Sequence, residues 1–365
     1  MHATAAVLYG PKQPLELDEL EIVPPGSGEV LVRYVASGVC HSDLHVMQGL
    51  MAHPTPVVLG HEGSGVVEAV GPGVSGVQVG DHVLTSYVPS CGRCPWCIVG
   101  RPNLCDLRDI PRHLMHDGTS RFRKGNEPVY HFLQVSSYAT RAVLPEENVV
   151  PIRKDAPLDV VCLVSCGVMT GAGAVINRAK VTPGSSVVVF GCGGVGLNSI
   201  QAAALMGAGK VIAVDVFDQK LEWSREFGAT HLVNAASSDA VARIHEICGR
   251  GGADYAIEAI GGAPTIEQAF RSVHRGGTVV VIGVSPDGAR ISIDPSMLLQ
   301  ERVLTGTSFG STRQRVDLPM LVDLFMDGRY KLRELISRQI PLSDLSAAYE
   351  ALQRGEVRRS VIVYD

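Results

Sequence analysis

Four cysteines in one short stretch have the spacing of a metal site. They follow the pattern C-x2-C-x2-C-x7-C, as Cys91, Cys94, Cys97 and Cys105. Four thiolates on one loop suit a closed tetrahedral zinc site, and the glycine and proline between them let the backbone wrap a small ion. An iron–sulfur cluster also takes four cysteines and is the competing interpretation. The spacing therefore predicts a bound metal and favours zinc.

A glycine-rich turn between apolar segments has the pattern of a dinucleotide-binding site. Residues 187–190 predict a buried strand, residues 197–205 a helix, and residues 210–214 a second strand. The turn reads Gly191-Cys192-Gly193-Gly194-Val195-Gly196. In such a unit the glycines allow a tight turn and close approach of the backbone, and the N-terminus of the helix attracts a pyrophosphate.

The acid at the end of the second strand, Asp215, indicates which dinucleotide binds. Its carboxylate is placed to accept hydrogen bonds from both hydroxyls of the adenosine ribose, and its charge repels a 2′-phosphate. The sequence therefore favours NAD over NADP. A glycine-rich turn in an ordinary parallel sheet is the alternative, but strand, helix and acid stand in the order that a dinucleotide site requires.

The composition fits a globular protein with more than one domain. The chain has 365 residues, of which 45% are hydrophobic and 19% charged, which suits two domains with packed cores. The net charge is −5 and basic residues run no longer than pairs, so no nucleic-acid partner is predicted. We find no secretory signal and no membrane span. Nine cysteines in a chain of this size do not suggest a disulfide framework, so a cytoplasmic protein is expected.

The order of predicted elements indicates an α/β protein. Residues 1 to about 85 contain short strand-like runs between proline and glycine turns. Helix and strand patterns then alternate from residue 187 to residue 284, which predicts a Rossmann doubly wound parallel sheet. Further helices are predicted at 318–327 and 342–355.

Four more segments carry residue types that bind metals or line active sites, although a lone cysteine or histidine is more often a packed core residue. They read Gly38-Val39-Cys40-His41-Ser42-Asp43, Gly60-His61-Glu62-x-x-Gly65, Asp117-Gly118-Thr119-Ser120-Arg121-Phe122 and Cys166-Gly167-Val168-Met169-Thr170-Gly171. With the four-cysteine stretch and the glycine turn, they make nearly the whole chain resemble the zinc-dependent medium-chain alcohol dehydrogenases. The resemblance is to the two-zinc branch, which includes the glutathione-dependent formaldehyde dehydrogenases.

The resemblance implies NAD and two zinc ions per chain, one structural and one catalytic. By motif match Cys40, His61 and Cys166 would hold the catalytic zinc and leave its fourth position open. Zinc lowers the pKa of a bound alcohol, which then releases a hydride to the nicotinamide. The implied activity is the reversible, NAD-dependent oxidation of a primary alcohol.

The resemblance also implies roles for residues around the zinc and the cofactor. Ser42 would bond the reacting oxygen, His45 would exchange the proton with solvent, and Glu62 would support the metal. The alternative for His45 and Glu62, and likewise for Lys220 and Arg359, is an ordinary solvated side chain. The implied cofactor contacts beyond the glycine turn and Asp215 are His41, Thr170, Val195, Lys220, Val284 and Arg359, with His41 and Arg359 at the pyrophosphate.

The implied substrate pocket is mostly apolar, and its lining is Ser42, Tyr87, Leu133 and Val284. A serine in place of a threonine beside the zinc leaves extra room, which favours aromatic or longer aliphatic primary alcohols. Residues 49–60 contain no acid, and Asp109 stands near the place of an arginine in the glutathione-dependent class. Both features argue against a glutathione adduct, and a formaldehyde adduct of another thiol stays open as the alternative substrate.

The resemblance implies two domains and an active site in the cleft between them. We expect a GroES-like β-rich catalytic domain at 1–167 and 311–365, with a zinc lobe at about 88–110, and a Rossmann domain at 168–310. A homodimer is expected, with a tetramer as the alternative. Two other functions are alternatives. A non-enzymatic NAD-binding protein would lack the zinc ligands, and a polyol or secondary-alcohol dehydrogenase would need polar pocket residues.

Overall fold

The computed structural model describes residues 1–365, which divide into two compact units. Unit 1 consists of Met1–Cys166 and Arg313–Asp365, and unit 2 consists of Gly167–Thr312. The expected domain boundaries, after residues 167 and 310, differ from this division by one and two residues. No single helix is long and apolar enough to cross a membrane, although the bent pair Leu158–Ser165 and Gly167–Ala179 together meets both criteria.

The chain contains eighteen strands and eleven α-helices, together with short 3-10 segments and one π-helix at Ala174–Ala179. The strands are β1 (His2–Leu8), β2 (Leu15–Ile22), β3 (Glu29–Gly38), β4 (Val57–Val58), β5 (Gly63–Val70), β6 (His82–Thr85), β7 (Phe122–Lys124), β8 (Glu127–His131), β9 (Arg141–Pro145), β10 (Val149–Pro151), β11 (Ser186–Phe190), β12 (Lys210–Asp215), β13 (His231–Asn234), β14 (Ala253–Glu258), β15 (Val273–Val281), β16 (Val303–Gly306), β17 (Ile336–Ile340) and β18 (Arg359–Val363). The helices are α1 (His41–Met47), α2 (Pro95–Ile98), α3 (Leu158–Val161), α4 (Gly167–Gly173), α5 (Gly194–Leu205), α6 (Asp218–Glu226), α7 (Ala240–Cys248), α8 (Ala263–Ser272), α9 (Pro295–Leu298), α10 (Gln314–Met326) and α11 (Leu345–Gln353).

Unit 1 is built from β-sheet. The strands β1-β2-β7-β8-β4 close into a barrel, and a second sheet has the order β10-β6-β5-β3-β18-β17, with β9 also paired to β3. In the second half of β2, at residues 19–22, acids alternate with apolar residues, so Leu20 and Ile22 point into the core while Glu19 and Glu21 face solvent. Strand β3 is buried along most of its length and lies between β5, β9 and β18. It therefore fixes the position of Cys40, which follows it by two residues.

Unit 2 is a six-stranded parallel sheet in the order β13-β12-β11-β14-β15-β16. Strand β11 is buried at every residue, as is usual for a parallel strand covered by helices on both faces. Helices α5 to α8 connect successive strands, so the sheet follows the β-α alternation of the sequence. The predicted fold class, a doubly wound parallel sheet with a β-rich second domain, is confirmed.

Candidate active site and metal centres

Unit 1 brings together the side chains expected to hold the catalytic zinc. Cys40 precedes α1, His61 and Glu62 precede β5, and Cys166 ends the first segment of the unit. One ligand atom from each of these four residues lies within 4.8 Å of the others. Because these segments are far apart in sequence, only the paired strands β3 and β5 and the turn before Cys166 create this cluster.

A buried carboxylate orients the ring of His61. Asp43 Oδ2 lies 3.0 Å from His61 Nδ1, and both side chains are buried. The two atoms are close enough for an ion pair, but their angles are not those of a hydrogen bond. A carboxylate beside one ring nitrogen keeps the proton there and leaves the lone pair of the other nitrogen, Nε2, for a metal.

The electrostatics of the cluster suit a bound cation. A hydrogen bond from Cys166 and the charge of His61 hold the pKa of the Cys40 thiol well below its ordinary value. Burial lowers the pKa of His61, but Asp43 and Cys40 outweigh burial and raise it. Burial raises the pKa of Glu62 to about 7, and its Oε1 is buried without a hydrogen-bond partner. Thiolate and carboxylate groups crowded away from water with an unpartnered oxygen fit a metal ion.

Arg359 lies beside this cluster, which differs from the contact expected for it. Its guanidinium pairs with Glu62 Oε2 and donates a hydrogen bond of 3.1 Å to the Val39 carbonyl. Only 4% of Arg359 is exposed, because β18 pairs with the end of β3, two residues before Cys40. The proposed contact of Arg359 with the pyrophosphate remains a prediction.

The four cysteines of the lobe also converge. One sulfur from each lies within 4.8 Å of the others, and Cys91 Sγ is 4.0 Å from Cys97 Sγ. Four sulfurs about 2.3 Å from a tetrahedral zinc would be about 3.8 Å apart. Backbone N–H groups of Cys91 and Cys94 point at the sulfurs of Cys105 and Cys91, at 3.5 and 3.3 Å. The lobe thus has the donor set and spacing of a structural zinc site.

In unit 2 the glycine turn lies at the carboxyl end of β11 and leads into α5. A Cβ on Gly196 would lie 1.7 Å from the Gly191 carbonyl oxygen, so only glycine lets the helix pack this closely. A Cβ on Gly193 would meet nothing within 4 Å, and no side chain caps the helix that follows. The turn therefore offers open space and free N–H groups where a pyrophosphate is expected.

Asp215 ends β12 beside the turn. Its Oδ2 accepts a hydrogen bond of 2.8 Å from the Cys192 N–H, and its Oδ1 accepts one of 2.8 Å from the Val216 N–H. These bonds fix the carboxylate at the edge of the sheet, where the ribose hydroxyls of NAD are expected. Cys192 is buried in the turn and packs there.

The variant Asp215→Asn tests the role of that carboxylate. We expect kcat/KM with NAD to fall at least about tenfold, because a hydrogen bond to a charged group contributes about 1.5–3 kcal/mol. The ratio of NADP to NAD activity should rise, since repulsion of the 2′-phosphate is removed. The matched control is Asp239→Asn, which removes one exposed charge and keeps a residue able to cap α7. Equal coenzyme ratios in both variants would contradict this role.

The remaining predicted residues have varied exposure. Ser42 and His45 lie on α1 and are half-buried, and His41 at its start is exposed. Tyr87, Leu133, Thr170, Val195 and Lys220 are half-buried, whereas Val284 is 57% exposed in unit 2. The Lys220 ammonium lies 4.8 Å from the centre of the Phe217 ring. The roles of these residues remain predictions.

The chain matches two family models over most of its length and known proteins over its whole length. Residues 26–154 match the alcohol dehydrogenase GroES-like domain, and residues 194–326 match the zinc-binding dehydrogenase family. The chain is 42% identical to the class-3 alcohol dehydrogenase of Cereibacter sphaeroides over 100% of both chains. This chain belongs to the zinc-dependent alcohol dehydrogenase family. Its identity to the S-(hydroxymethyl)glutathione dehydrogenase of Paracoccus denitrificans is 41%, again over 100% of both chains.

Solved structures of this family have the same fold. The benzyl alcohol dehydrogenase of Acinetobacter calcoaceticus superposes with a TM-score of 0.95 and is 36% identical, with 100% of both chains covered. An alcohol dehydrogenase zinc-binding domain protein of Burkholderia ambifaria gives a TM-score of 0.96 at 36% identity, over 100% of this chain and 99% of the other. The protein is thus an oxidoreductase of this family, and its cofactors are zinc and NAD, as the sequence predicted.

Sequence reasoning missed several residues that the structure places at the catalytic cluster. Asp43 stands in the quoted motif, three residues after Cys40, but no role was predicted for it. Phe132 contacts the ring of His61 edge-on, with ring centres 5.7 Å apart. The Tyr138 hydroxyl donates a hydrogen bond to Asp43, and the Tyr349 hydroxyl bonds that of Tyr138. Of these residues only Asp43 could have been identified from the sequence, because it lies in the same short motif as the ligand Cys40.

Proposed function

We propose that this protein oxidises primary alcohols with an aromatic or longer aliphatic substituent, using NAD, and reduces the corresponding aldehydes. The observation that carries the proposal is the cluster of Cys40, His61 and Cys166, whose ligand atoms lie within 4.8 Å of one another. Two aromatic side chains pack beside this cluster. The ring centres of Tyr87 and Phe132 lie 5.4 Å and 5.7 Å from the ring centre of His61. Such apolar surroundings favour substrates with an apolar substituent.

In this proposal Cys40, His61 and Cys166 hold the catalytic zinc, and Glu62 supports it. When bound, zinc lowers the pKa of the alcohol and NAD accepts the hydride. The chain's own residues would move the proton. Ser42 Oγ lies 3.9 Å from Cys40 Sγ, and His45 follows it by three residues on α1, so both stand on one face of the helix. Half-buried His45 then exchanges the proton with solvent.

A second candidate function is oxidation of a formaldehyde–thiol adduct. Two observations favour it. Relatives about 41% identical are named class-3 alcohol dehydrogenase and S-(hydroxymethyl)glutathione dehydrogenase. In addition, the half-buried Arg112 donates a hydrogen bond of 2.5 Å to the carbonyl of Tyr87, a proposed pocket residue, and no carboxylate oxygen lies within salt-bridge distance of it. Such a guanidinium can bind the carboxylate of a thiol adduct.

A comparison of substrates tests the proposal. We expect NADH to form faster with benzyl alcohol or hexanol than with ethanol, and formaldehyde oxidation not to require glutathione. Arg112→Gln should then leave turnover of benzyl alcohol within about twofold, as should the exposed control Arg101→Gln. The second candidate predicts strictly thiol-dependent oxidation of formaldehyde and an increase in KM of at least about tenfold in the Arg112 variant alone. That outcome would overturn the proposal.

We also propose that the protein is a cytoplasmic homodimer. Strand β16 is an edge strand of the parallel sheet, and apolar side chains around it are exposed, with Leu299 88% and Val303 46% accessible. A second copy is the partner that would cover this edge most simply, because a strand can pair with itself across a two-fold axis. The nine free thiols suit a reducing compartment. Sedimentation that gives a monomer mass would contradict the dimer, and a tetramer would require a further interface.

A further inference from the structure

A row of buried polar groups leads away from His61 to the C-terminal helix. Asp43 Oδ2 lies 3.0 Å from His61 Nδ1, the Tyr138 hydroxyl lies 3.2 Å from the same oxygen, and the Tyr349 hydroxyl lies 2.8 Å from that of Tyr138. Each of the four residues is at most 3% exposed. The row joins α1, the segment between β8 and β9, and α11, all within unit 1.

The direction of the hydrogen bonds follows from counting protons. The Tyr138 hydroxyl has one proton and two acceptor neighbours, Asp43 Oδ2 at 3.2 Å and the Gly38 carbonyl at 3.4 Å. A carboxylate is the stronger acceptor and is also the nearer one, so Tyr138 donates to Asp43. Tyr349 must then donate to Tyr138. Burial, with the charge of Asp43, raises the pKa of both phenols well above the ordinary value, so both remain donors.

The carboxylate of Asp43 is fixed on both oxygens. Its Oδ1 accepts a hydrogen bond of 2.8 Å from the Gly60 N–H, one residue before His61. Its Oδ2 receives the Tyr138 hydroxyl and faces His61 Nδ1. A buried carboxylate without donors would be costly, so these bonds stabilise the charge that orients the histidine ring.

We propose that Tyr138 and Tyr349 are positioning residues for the zinc ligand His61. Their hydroxyls hold Asp43 in place, and Asp43 fixes the orientation and tautomer of the imidazole that faces the metal. The inference rests on the proposed zinc site and on no particular substrate.

The test measures how tightly and with what geometry the site holds a metal. Zinc release to a chelator and the visible spectrum of the cobalt-substituted protein are compared for wild type, Tyr138→Phe and Tyr349→Phe. The control is Tyr34→Phe, which loses a buried hydroxyl that donates to the Val135 carbonyl at 2.7 Å and has no contact with Asp43. All proteins are used as the full chain with zinc counted first.

We expect Tyr138→Phe to release one of its two zinc ions at least about tenfold faster and to shift the cobalt absorption, because outer partners of metal ligands change affinity about 10–100-fold. Tyr349→Phe should change both readouts in the same direction by less, since Tyr138 keeps its bond to Asp43. Tyr34→Phe should match wild type.

Different outcomes separate this inference from the proposed function. Wild-type zinc release and cobalt spectrum in Tyr138→Phe would overturn the inference alone, as would equally fast release from Tyr34→Phe, which would reveal general loosening of unit 1. If Tyr138→Phe does not fold, a wild-type result for Tyr349→Phe overturns it. A wild-type protein without zinc at Cys40, His61 and Cys166 would overturn the proposed function as well.

Discussion

Replacing Cys166 with alanine is expected to lower kcat/KM for alcohol oxidation at least about a thousandfold and to reduce the zinc content from about two ions per chain to about one. A catalytic metal stabilises transition-state charge by several kcal/mol, and about 1.4 kcal/mol corresponds to a tenfold change in rate. Zinc analysis by mass spectrometry and steady-state kinetics with benzyl alcohol would check both parts of this prediction.

The matched control is Cys162→Ala. Cys162 is a buried thiol four residues earlier, and its sulfur lies 4.0 Å from the Asp159 carbonyl oxygen. Its replacement should leave both zinc ions and activity within a few-fold of wild type, since it belongs to neither metal cluster. Two zinc ions and full activity in Cys166→Ala would remove that residue from the proposed ligand set.

The second large effect is expected in the cysteine lobe. Cys97→Ala should abolish binding of the structural zinc and expose the lobe to proteolysis at Arg93 and Arg101. Structural zinc contributes folding free energy directly, about 10–16 kcal/mol in isolated zinc-finger peptides, and a site with three ligands loses much of it. Limited trypsin digestion followed by mass spectrometry would locate the cleavage, and the catalytic zinc should be retained in the undigested protein.

Cys248→Ala serves as the control for the lobe, because Cys248 is a half-buried thiol at the end of α7, outside both metal clusters. It should keep both zinc ions and wild-type resistance to trypsin. An iron content with visible absorption in the wild-type protein would show that the lobe holds an iron–sulfur cluster, the interpretation that cysteine spacing alone left open.

The fold and the enzyme class were predictable because local patterns carry them. The apolar strand, glycine turn and acid around residues 187–215 form one continuous unit, and the structure pairs β11 with β12 in parallel as predicted. The cysteine lobe is similarly local. In both regions the residues that act together are close in sequence, so spacing alone indicates the geometry.

The surroundings of the catalytic cluster were not predictable, because they depend on long-range packing. Asp43 and Tyr138 are 95 residues apart, and Tyr138 and Tyr349 are 211 apart, so no spacing connects them. The pair between Arg359 and Glu62, 297 residues apart, likewise forms only because β18 pairs with β3. Pairing of strands, which a single sequence does not display, decides such contacts.

The start of α10 shows the same limit at a smaller scale. The sequence predicted a helix from residue 318, before Pro319, but the helix begins at Gln314. The buried carboxylate of Asp317 accepts a hydrogen bond of 2.8 Å from the Arg313 N–H and pairs with the guanidinium of Arg313. These bonds provide partners for polar groups at the first turn of the helix. Pro319, in the second turn, removes only one backbone N–H donor.

The most direct test of zinc-dependent alcohol oxidation is the rate of NADH formation from benzyl alcohol as zinc is removed and restored. The full-length protein, with zinc counted, is assayed before chelation, after loss of one zinc ion per chain, and after zinc is added back. We predict that activity disappears with that ion and returns with it, in proportion to occupancy of the site. Undiminished activity in protein shown to lack the ion would contradict the proposed role of Cys40, His61 and Cys166.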